Sequence, residues 1–143
     1  MNDAAKKWVA ALRSGKYRQG AGVLREGDQF CCLGVACDLS RIGKWKSKGG
    51  STWYEVSDPD FSDDTLPHAV ADFYGMQDTI GSFNPDDLPD EMVNTIREKV
   101  KVSDHGRQFT LTNLNDYGFD FQFIADLIEA EPKGLFESEE YDG

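Results

Sequence analysis

The eleven residues QFCCLGVACDL, at positions 29–39, form an apolar stretch that contains all three cysteines of the chain. A helical wheel places Cys32, Val35, Ala36, Leu39 and Ile42 on one face, which is the pattern of a helix packed against a core. The pattern predicts a core helix over residues 32–42, ended by Gly43. A glycine inside a helix costs about 1 kcal/mol relative to alanine. We therefore expect another segment of backbone to pack closely against Gly34.

Outward from this stretch, the sequence alternates short helical patterns with turn signals. Upstream, an amphipathic helix is predicted over residues 4–14, followed by an antiparallel hairpin with strands at 21–25 and 28–32. Downstream, helices are predicted over 67–74, 89–100 and 121–131, the last capped by Asp120 and closed by Pro132. Strands are predicted at 53–56 and 107–111. Residues 43–52 are expected to form a basic, glycine-rich loop, and residues 57–65 an acidic one.

These elements predict one α+β domain over residues 1–136, rich in helix and with a small antiparallel sheet, and a flexible acidic tail over 137–143. A length of 143 residues suits a single domain. The apolar runs are too short to cross a bilayer, and the amphipathic N-terminal segment lacks the apolar region of a signal peptide. Three cysteines, two of them adjacent, do not make a disulfide framework. We therefore expect a cytoplasmic protein.

The charge of the chain is strongly negative and unevenly distributed. The formal net charge is −11, yet residues 1–50 carry ten Lys/Arg against four Asp/Glu. Residues 51–143 carry five Lys/Arg against 22 Asp/Glu. Such a surface repels nucleic acid and favours basic partners.

Two blocks of the sequence resemble a group of small, mostly uncharacterised proteins of tailed bacteriophages and prophages. The first block, WVAALRSGKYRQGAGVLREGDQFCCLGVACDL, carries that group's W-x-x-A-L-R-S-G-K-Y opening, its hairpin and its C-C-L-G-V-x-C-D-L segment. The second, LTNLNDYGFDFQFIADLIE, resembles its L-N-D-x-G-x-x-F-x-x-I-A-D-x-I-E closing segment. The blocks span residues 8–39 and 111–129, about a third of the chain, and leave out residues 44–105. The resemblance implies a phage origin and no particular chemistry.

The cysteines are the first candidates for a reactive site. Cys31 and Cys32 lie near the predicted helix start, where a thiolate is stabilised. A nucleophile also needs a base in reach, and nothing in the spacing ties His68 or His105 to them. Cys32 belongs to the core stripe, so the structural interpretation is favoured and no catalytic residue is predicted. C-C-x4-C lacks the spacing of a zinc site, so no metal and no cofactor are expected.

Acidic clusters are the second candidates. Their carboxylates are Asp58, Asp60, Asp63, Asp64, Asp86, Asp87, Asp90 and Glu91. Neither cluster has the calcium-binding pattern of an EF-hand, so a solvated surface that meets a basic partner is favoured over an ion site. The closing block LNDYGFDFQFIADLIE looks like the first half of a helix-turn-helix. The acidic residues that follow it would be repelled by phosphate, so no direct nucleic acid binding is expected.

A third candidate is the basic N-terminal half, in which cations and aromatic residues are interleaved. Such a mixture suits an anionic small molecule, with rings stacking on a base and cations on phosphate. The possible ligand-binding set is Lys16, Tyr17, Arg18, Arg25, Arg41, Trp45 and Trp53. Lys44, Lys46 and Lys48 add to the same basic stretch. The plainer interpretation is a solvated face that neutralises acidic surface within the molecule or across a homodimer.

The sequence favours a phage-encoded acidic accessory protein that is not an enzyme. It would bind and inhibit, or redirect, a host protein with a basic surface, such as a defence or nucleic-acid-processing enzyme. Two alternatives stay open. One is a protein that sequesters a nucleotide-like signal in the basic half. The other is a hydrolase or transferase that uses Cys31 or Cys32 with His68 or His105. No membrane partner is expected, and a homodimer is compatible with the charges.

Overall fold

The computed structural model describes residues 1–100 and 109–137. Helices and small sheets alternate along this part of the chain, and the predicted α+β class is confirmed. The helices are α1 (Asp3–Arg13), α2 (Cys32–Ser40), α3 (His68–Tyr74), α4 (Asp90–Val100), α5 (Leu111–Asp116) and α6 (Phe121–Glu129). The strands are β1 (Arg18–Gln19), β2 (Arg25–Glu26), β3 (Gln29–Phe30), β4 (Lys44–Lys48), β5 (Ser51–Glu55), β6 (Phe61–Ser62), β7 (Ser82–Phe83) and β8 (Phe109–Thr110).

Helix α2 is the central element, because its residues from Cys32 to Cys37 are all buried. It is shorter than predicted. Arg41 takes a left-handed backbone conformation (φ 58°) and ends the helix after Ser40. Ile42, which the wheel placed in the core stripe, therefore lies beyond the helix and is 37% exposed. The prediction for Ile42 was wrong because the helical wheel assumes an unbroken helix, whereas a single residue in the left-handed region ends α2 before Ile42.

The close approach predicted at Gly34 is confirmed. A Cβ atom at this position would lie 1.9 Å from the carbonyl oxygen of Leu24. The same carbonyl accepts a hydrogen bond of 3.1 Å from the backbone N–H of Cys31. The chain before β2 therefore rests directly on the first turn of α2.

The side chain of buried Asn115, on α5, accepts a hydrogen bond from the first backbone N–H group of α2. Its Oδ1 accepts from the backbone N–H of Cys32 (3.1 Å) and from Nε2 of Gln19 (3.0 Å), while its Nδ2 donates to the carbonyl of Gly20 (2.7 Å). The first N–H groups of a helix have no partner within the helix, and the Cys31 side chain makes no capping bond. Asn115 thus joins α2, α5 and the segment after β1.

Helix α1 confirms its prediction and packs across α2 and α6. The fully buried Trp8 donates from Nε1 to the carbonyl of Cys32 at 3.0 Å. At the helix end, one Nη of Arg13 lies 2.6 Å from Asp126 and 2.7 Å from Glu129 on α6. These two contacts fix the N-terminal helix against the closing helix.

The predicted first hairpin is present but shorter, with β2 and β3 pairing antiparallel over two residues each. The strand β1 pairs parallel with β3, in an arrangement that the sequence did not predict. The predicted basic loop at 43–52 is wrong. Residues 44–48 and 51–55 form the longest strand pair of the fold, joined by a two-residue turn at Gly49 and Gly50. Strand β6 adds to β5 within the predicted acidic loop.

The closing part of the fold holds a helix that was not predicted, α5, which follows β8 directly. The strand predicted at 107–111 is shorter in its described part, and residues 107–108 lie outside the described ranges. Helix α6 begins as predicted, with Oδ1 of Asp120 accepting from the N–H of Phe123 at 2.9 Å. Beyond α6, Leu135 is buried and the N–H of Glu137 donates to the carbonyl of Gly75 at 2.8 Å. Residues 138–143 of the predicted tail lie outside the described part.

Candidate functional site: a charged and aromatic surface

The acidic clusters lie at the surface. Seven of the eight predicted carboxylate residues are exposed, and Asp60 is half-buried. None of the eight forms an ion pair with a residue in the described ranges. These carboxylates thus lie at or near the surface without a cationic side chain of the described residues beside them.

Three of the carboxylates also have local structural roles. Asp60 accepts from the backbone N–H groups of His68 (2.7 Å) and Ala69 (2.9 Å), and so caps the start of α3. Asp64 accepts from the hydroxyl of Ser62 at 3.3 Å. Asp87 accepts from the backbone N–H of Lys133 at 3.3 Å. The side chains of Asp58, Asp63 and Asp86 are not engaged in this way within the described residues, which makes them the best positions for a test of binding.

The predicted ligand-binding set is divided by the structure. Tyr17 and Trp45 come together at Asp38, where Tyr17 Oη donates to one carboxylate oxygen (2.7 Å) and Trp45 Nε1 to the other (2.9 Å). Arg25 lies over the rings of Phe30 and Trp45, with its guanidinium 4.9 and 5.3 Å from their centroids. Burial, together with the hydrogen bond to Asp38, raises the pKa of Tyr17 to about 12. We refer to these five residues as the Asp38 cluster.

The Asp38 cluster joins the β4–β5 hairpin to α2 and β3. Asp38 accepts both side-chain donors of Tyr17 and Trp45, and the Arg25 guanidinium lies over two rings while its Nε donates to the carbonyl of Gly27. The Asp38 cluster therefore has a structural role, which is to hold these elements together. Asp38 was not among the predicted site residues, although the apolar stretch at 29–39 contains it as its only charged residue.

The other members of the predicted set point elsewhere. Lys16 and Arg41 are exposed, and Arg18 pairs with Asp28 at 3.2 Å. Trp53 lies on the face of the sheet opposite Trp45, because its neighbour Tyr54 is the residue that pairs with Trp45. The set therefore does not converge on one pocket.

The outer face of the sheet formed by β4, β5 and β6 has a pattern that the sequence analysis does not predict. Alternate residues of β4 and β5 share this face, and strand pairing adds Phe61, which is 49% exposed. The face consists of Lys44, Lys46, Lys48, Ser51, Trp53, Glu55 and Phe61. We call it the outer sheet face. The K-x-K-x-K alternation, the Gly-Gly turn and the alternating second strand are the signals that indicate this hairpin, whereas the high lysine and glycine content of residues 43–52 indicates a loop.

The three cysteines are buried and reduced. Burial raises the pKa of Cys31 to about 11 and raises those of Cys32 and Cys37 well above the ordinary thiol value. His68 is exposed at the start of α3, while His105 lies outside the described residues. Cys31 and His68 thus do not form the hydrogen-bonded pair that an activated thiolate requires.

Within residues 1–100 and 109–137, no group of three or more His, Cys, Asp or Glu side chains is arranged to hold a metal ion. No helix in those ranges is long and apolar enough to cross a membrane.

A surface cavity lies beside α1, lined by Met1, Val9, Arg13 and Glu129 among others. The charged side chains at the edge of this cavity are already paired, because Arg13 contacts both Asp126 and Glu129.

Comparison with known proteins assigns a family and no activity. No curated protein and no protein of solved structure matches the chain. A family model, described as a domain of unknown function (DUF8296), matches residues 1–132. This range includes all six helices and all eight strands described above. The chain belongs to the DUF8296 family.

Proposed function

We propose that the protein is a phage-encoded, acidic accessory protein that binds a basic surface of a host protein and inhibits or redirects it. Defence enzymes and nucleic-acid-processing enzymes have such surfaces, because they must attract phosphate. The phage origin rests on the two sequence blocks that resemble tailed-phage proteins, and the host protein is the expected partner for that reason. The protein is proposed to act by binding in the cytoplasm of the host cell, without a cofactor.

One observation carries the proposal. The eight carboxylates at 58–64 and 86–91 form no ion pair with the described residues, and seven of them are exposed. Opposite charge on a partner would steer encounter and favour the bound state, and both effects weaken as salt screens them. The buried, protonated cysteines support binding rather than covalent chemistry as the mode of action.

The test is a capture experiment followed by quantitative binding. Tagged protein is used to capture host proteins at low salt, and the partner that salt releases is purified and titrated against the variants below. In the test variant, Asp58→Asn, Asp63→Asn and Asp86→Asn remove three charges without removing a described side-chain hydrogen bond. The control variant, Asp72→Asn, Glu26→Gln and Glu98→Gln, removes three exposed charges outside the two clusters.

We expect the test variant to bind roughly tenfold more weakly than wild type at low salt, with a shallower dependence on salt. The control variant should bind within about twofold of wild type, because only overall charge has changed. Equal affinity of wild type and test variant would contradict the proposal. Equal loss in both variants would also contradict it, since the effect would then belong to net charge and not to the clusters.

A further inference from the structure

Lysine side chains form a row along one edge of the outer sheet face. Lys44, Lys46 and Lys48 alternate along β4, which is the edge strand of its sheet, and all three are exposed. None of them forms an ion pair with a residue in the ranges 1–100 and 109–137. Alternate residues of a strand lie about 6.8 Å apart, so the three side chains start at regular intervals. Such a row suits a ligand whose negative charge repeats regularly.

Aromatic rings lie beside this row of lysines. Trp53, on the middle strand, pairs with Lys46 and is half-buried, so part of its side chain remains accessible. Directly opposed residues on one face of a sheet have Cβ atoms about 5 Å apart, which places the indole next to the lysine. Phe61, on the third strand, is 49% exposed on the same face. The outer sheet face therefore combines a line of cations with accessible rings.

The end of the hairpin that carries these residues is open to solvent. Residues 46–51 are all exposed, including Ser47, whose side chain is on the opposite face from the lysines. A ligand can therefore lie along the strands without entering an enclosed site. An open face of this kind suits an extended polymer better than a small molecule, which is usually held in a concave pocket.

We propose that the outer sheet face binds single-stranded nucleic acid, with phosphates along the lysine row and a base stacked on Trp53. Cations that follow the sugar–phosphate backbone and aromatic rings that stack on bases are the two components of sequence-tolerant single-strand binding. The spacing of the lysines is close to the phosphate repeat of an extended strand, so each of the three meets one phosphate. A duplex fits this face poorly, because its paired and stacked bases are not free to stack on a ring.

The proposed nucleic-acid site is separate from the acidic clusters on which the proposed function rests. The expectation of no nucleic acid binding follows from the net charge of −11 and from the acidic residues after the closing block. On the outer sheet face, in contrast, three lysines accompany a single carboxylate, that of Glu55. The acidic segment at 58–64 contains β6, so we expect the strand to lie along β4 and to bind weakly.

Fluorescence anisotropy of a fluorescein-labelled oligothymidylate of about ten nucleotides tests the proposal. In about 50 mM NaCl we expect a dissociation constant of about 0.1 mM, which rises with salt. A plot of the logarithm of the association constant against that of the salt concentration should have a slope of about −2, the value for three phosphate contacts. Lys46→Gln should weaken binding at least about threefold and reduce this slope by about 0.7. Lys7→Gln, which removes an exposed lysine of α1, should bind as wild type does.

The stacked base is tested separately, through Trp53. Trp53→Ala should weaken binding at least about fivefold, whereas Trp53→Phe should keep most of the affinity because a ring remains. Binding should quench tryptophan fluorescence in wild type and not in Trp53→Phe, since Trp8 is buried and Trp45 is held at Asp38. Glu55→Gln should tighten binding a few-fold, because it removes a negative charge beside the lysines and keeps an oxygen that accepts from Trp53. Circular dichroism checks that each variant folds.

The proposal is wrong if wild-type protein at about 1 mM does not bind the oligonucleotide in about 50 mM NaCl. Equal losses in Lys46→Gln and Lys7→Gln would also overturn it, because binding would then depend on net charge alone. Quenching that persists in Trp53→Phe would show that no base stacks on Trp53. Displacement of the oligonucleotide by polyglutamate at equal charge would show that the face binds acidic protein segments instead. These measurements need no host protein, so a negative result does not bear on the proposed function.

Discussion

Gly34 shows how a single residue decides whether two elements can meet. The space for its side chain is occupied by the carbonyl of Leu24, whose position is also fixed by the N–H of Cys31. Backbone on both sides of this contact leaves no flexible group to move aside. Sequence reasoning found this position because a glycine inside an apolar helix has a cost that needs a compensating contact.

Replacing Gly34 by alanine should destabilise the fold by more than about 3 kcal/mol, because the methyl group overlaps backbone that cannot shift independently. Urea denaturation followed by circular dichroism measures this change. Gly15→Ala is the control, since Gly15 has a positive φ of 78° and no atom within 4 Å of the added Cβ. It should cost only about 1 kcal/mol of backbone strain. A similar loss in both variants would contradict the steric explanation.

The cysteines belong to the residue scale as well, because their burial determines their chemistry. The pKa of Cys31 is raised from 9.0 to about 11 by burial, so the thiolate is about a hundredfold rarer than in a free thiol at pH 8. Iodoacetamide should therefore modify the native protein about a hundredfold more slowly than the urea-unfolded chain. Native alkylation at the rate of the unfolded chain would contradict this burial.

The raised pKa of Cys31 also makes the free energy of unfolding depend on pH in the alkaline range. A raised pKa in the folded state means that the folded protein keeps protons that the unfolded thiols release. The contribution is fully present below about pH 9 and is lost as the pH rises toward about 11. The free energy of unfolding should fall across that range, and urea titrations at half-unit pH steps measure it. The alkaline loss should be smaller in Cys31→Ala than in wild type.

At the scale of elements, local patterns predicted helices well and pairings poorly. Helices α1, α4 and α6 were predictable because caps, charges and apolar spacing agree within each segment. The sheet around β3 was missed in part because its parallel partner β1 is two residues long and carries no periodic signal. Helix α5 was missed because four of its six residues are polar and the side chain of its buried Asn115 bonds to other elements. Such contacts depend on tertiary structure, which one segment does not reveal.

The β4–β5 hairpin permits a direct test of how its turn specifies the pairing. Gly49 and Gly50 have φ values of 59° and 88°, the conformation of a type I′ turn, which favours Asn-Gly. Gly49→Asn should stabilise the protein by about 0.5 kcal/mol, because asparagine tolerates this conformation and restricts the unfolded chain. Gly50→Ala should instead cost about 1 kcal/mol. Urea midpoints compare the two variants, and the same sign of change in both would contradict the turn assignment.

On the scale of the whole molecule, the sequence gives the net charge completely, whereas the fold determines which charged side chains lie next to one another. The net charge of −11 is distributed so that carboxylates at 58–64 and 86–91 lie at the surface without described ion pairs. The basic half supplies one lysine row, on the outer sheet face, and gives the stacked Arg25 to the Asp38 cluster. Composition predicted the charge imbalance, but strand pairing determined which charges share a face.

An acidic surface without compensating ion pairs should weaken the fold at low salt, because its carboxylates repel one another. The free energy of unfolding should rise by about 1 kcal/mol between 10 and 300 mM NaCl. Asp58→Asn, Asp63→Asn and Asp86→Asn together should raise stability at 10 mM NaCl and flatten this dependence. Arg13→Gln should do the opposite, since it leaves Asp126 and Glu129 without their shared cation. Urea titrations in a salt series measure all three proteins. If the neutralised variant is less stable than wild type at 10 mM NaCl, the carboxylates stabilise the fold, and repulsion does not govern this surface.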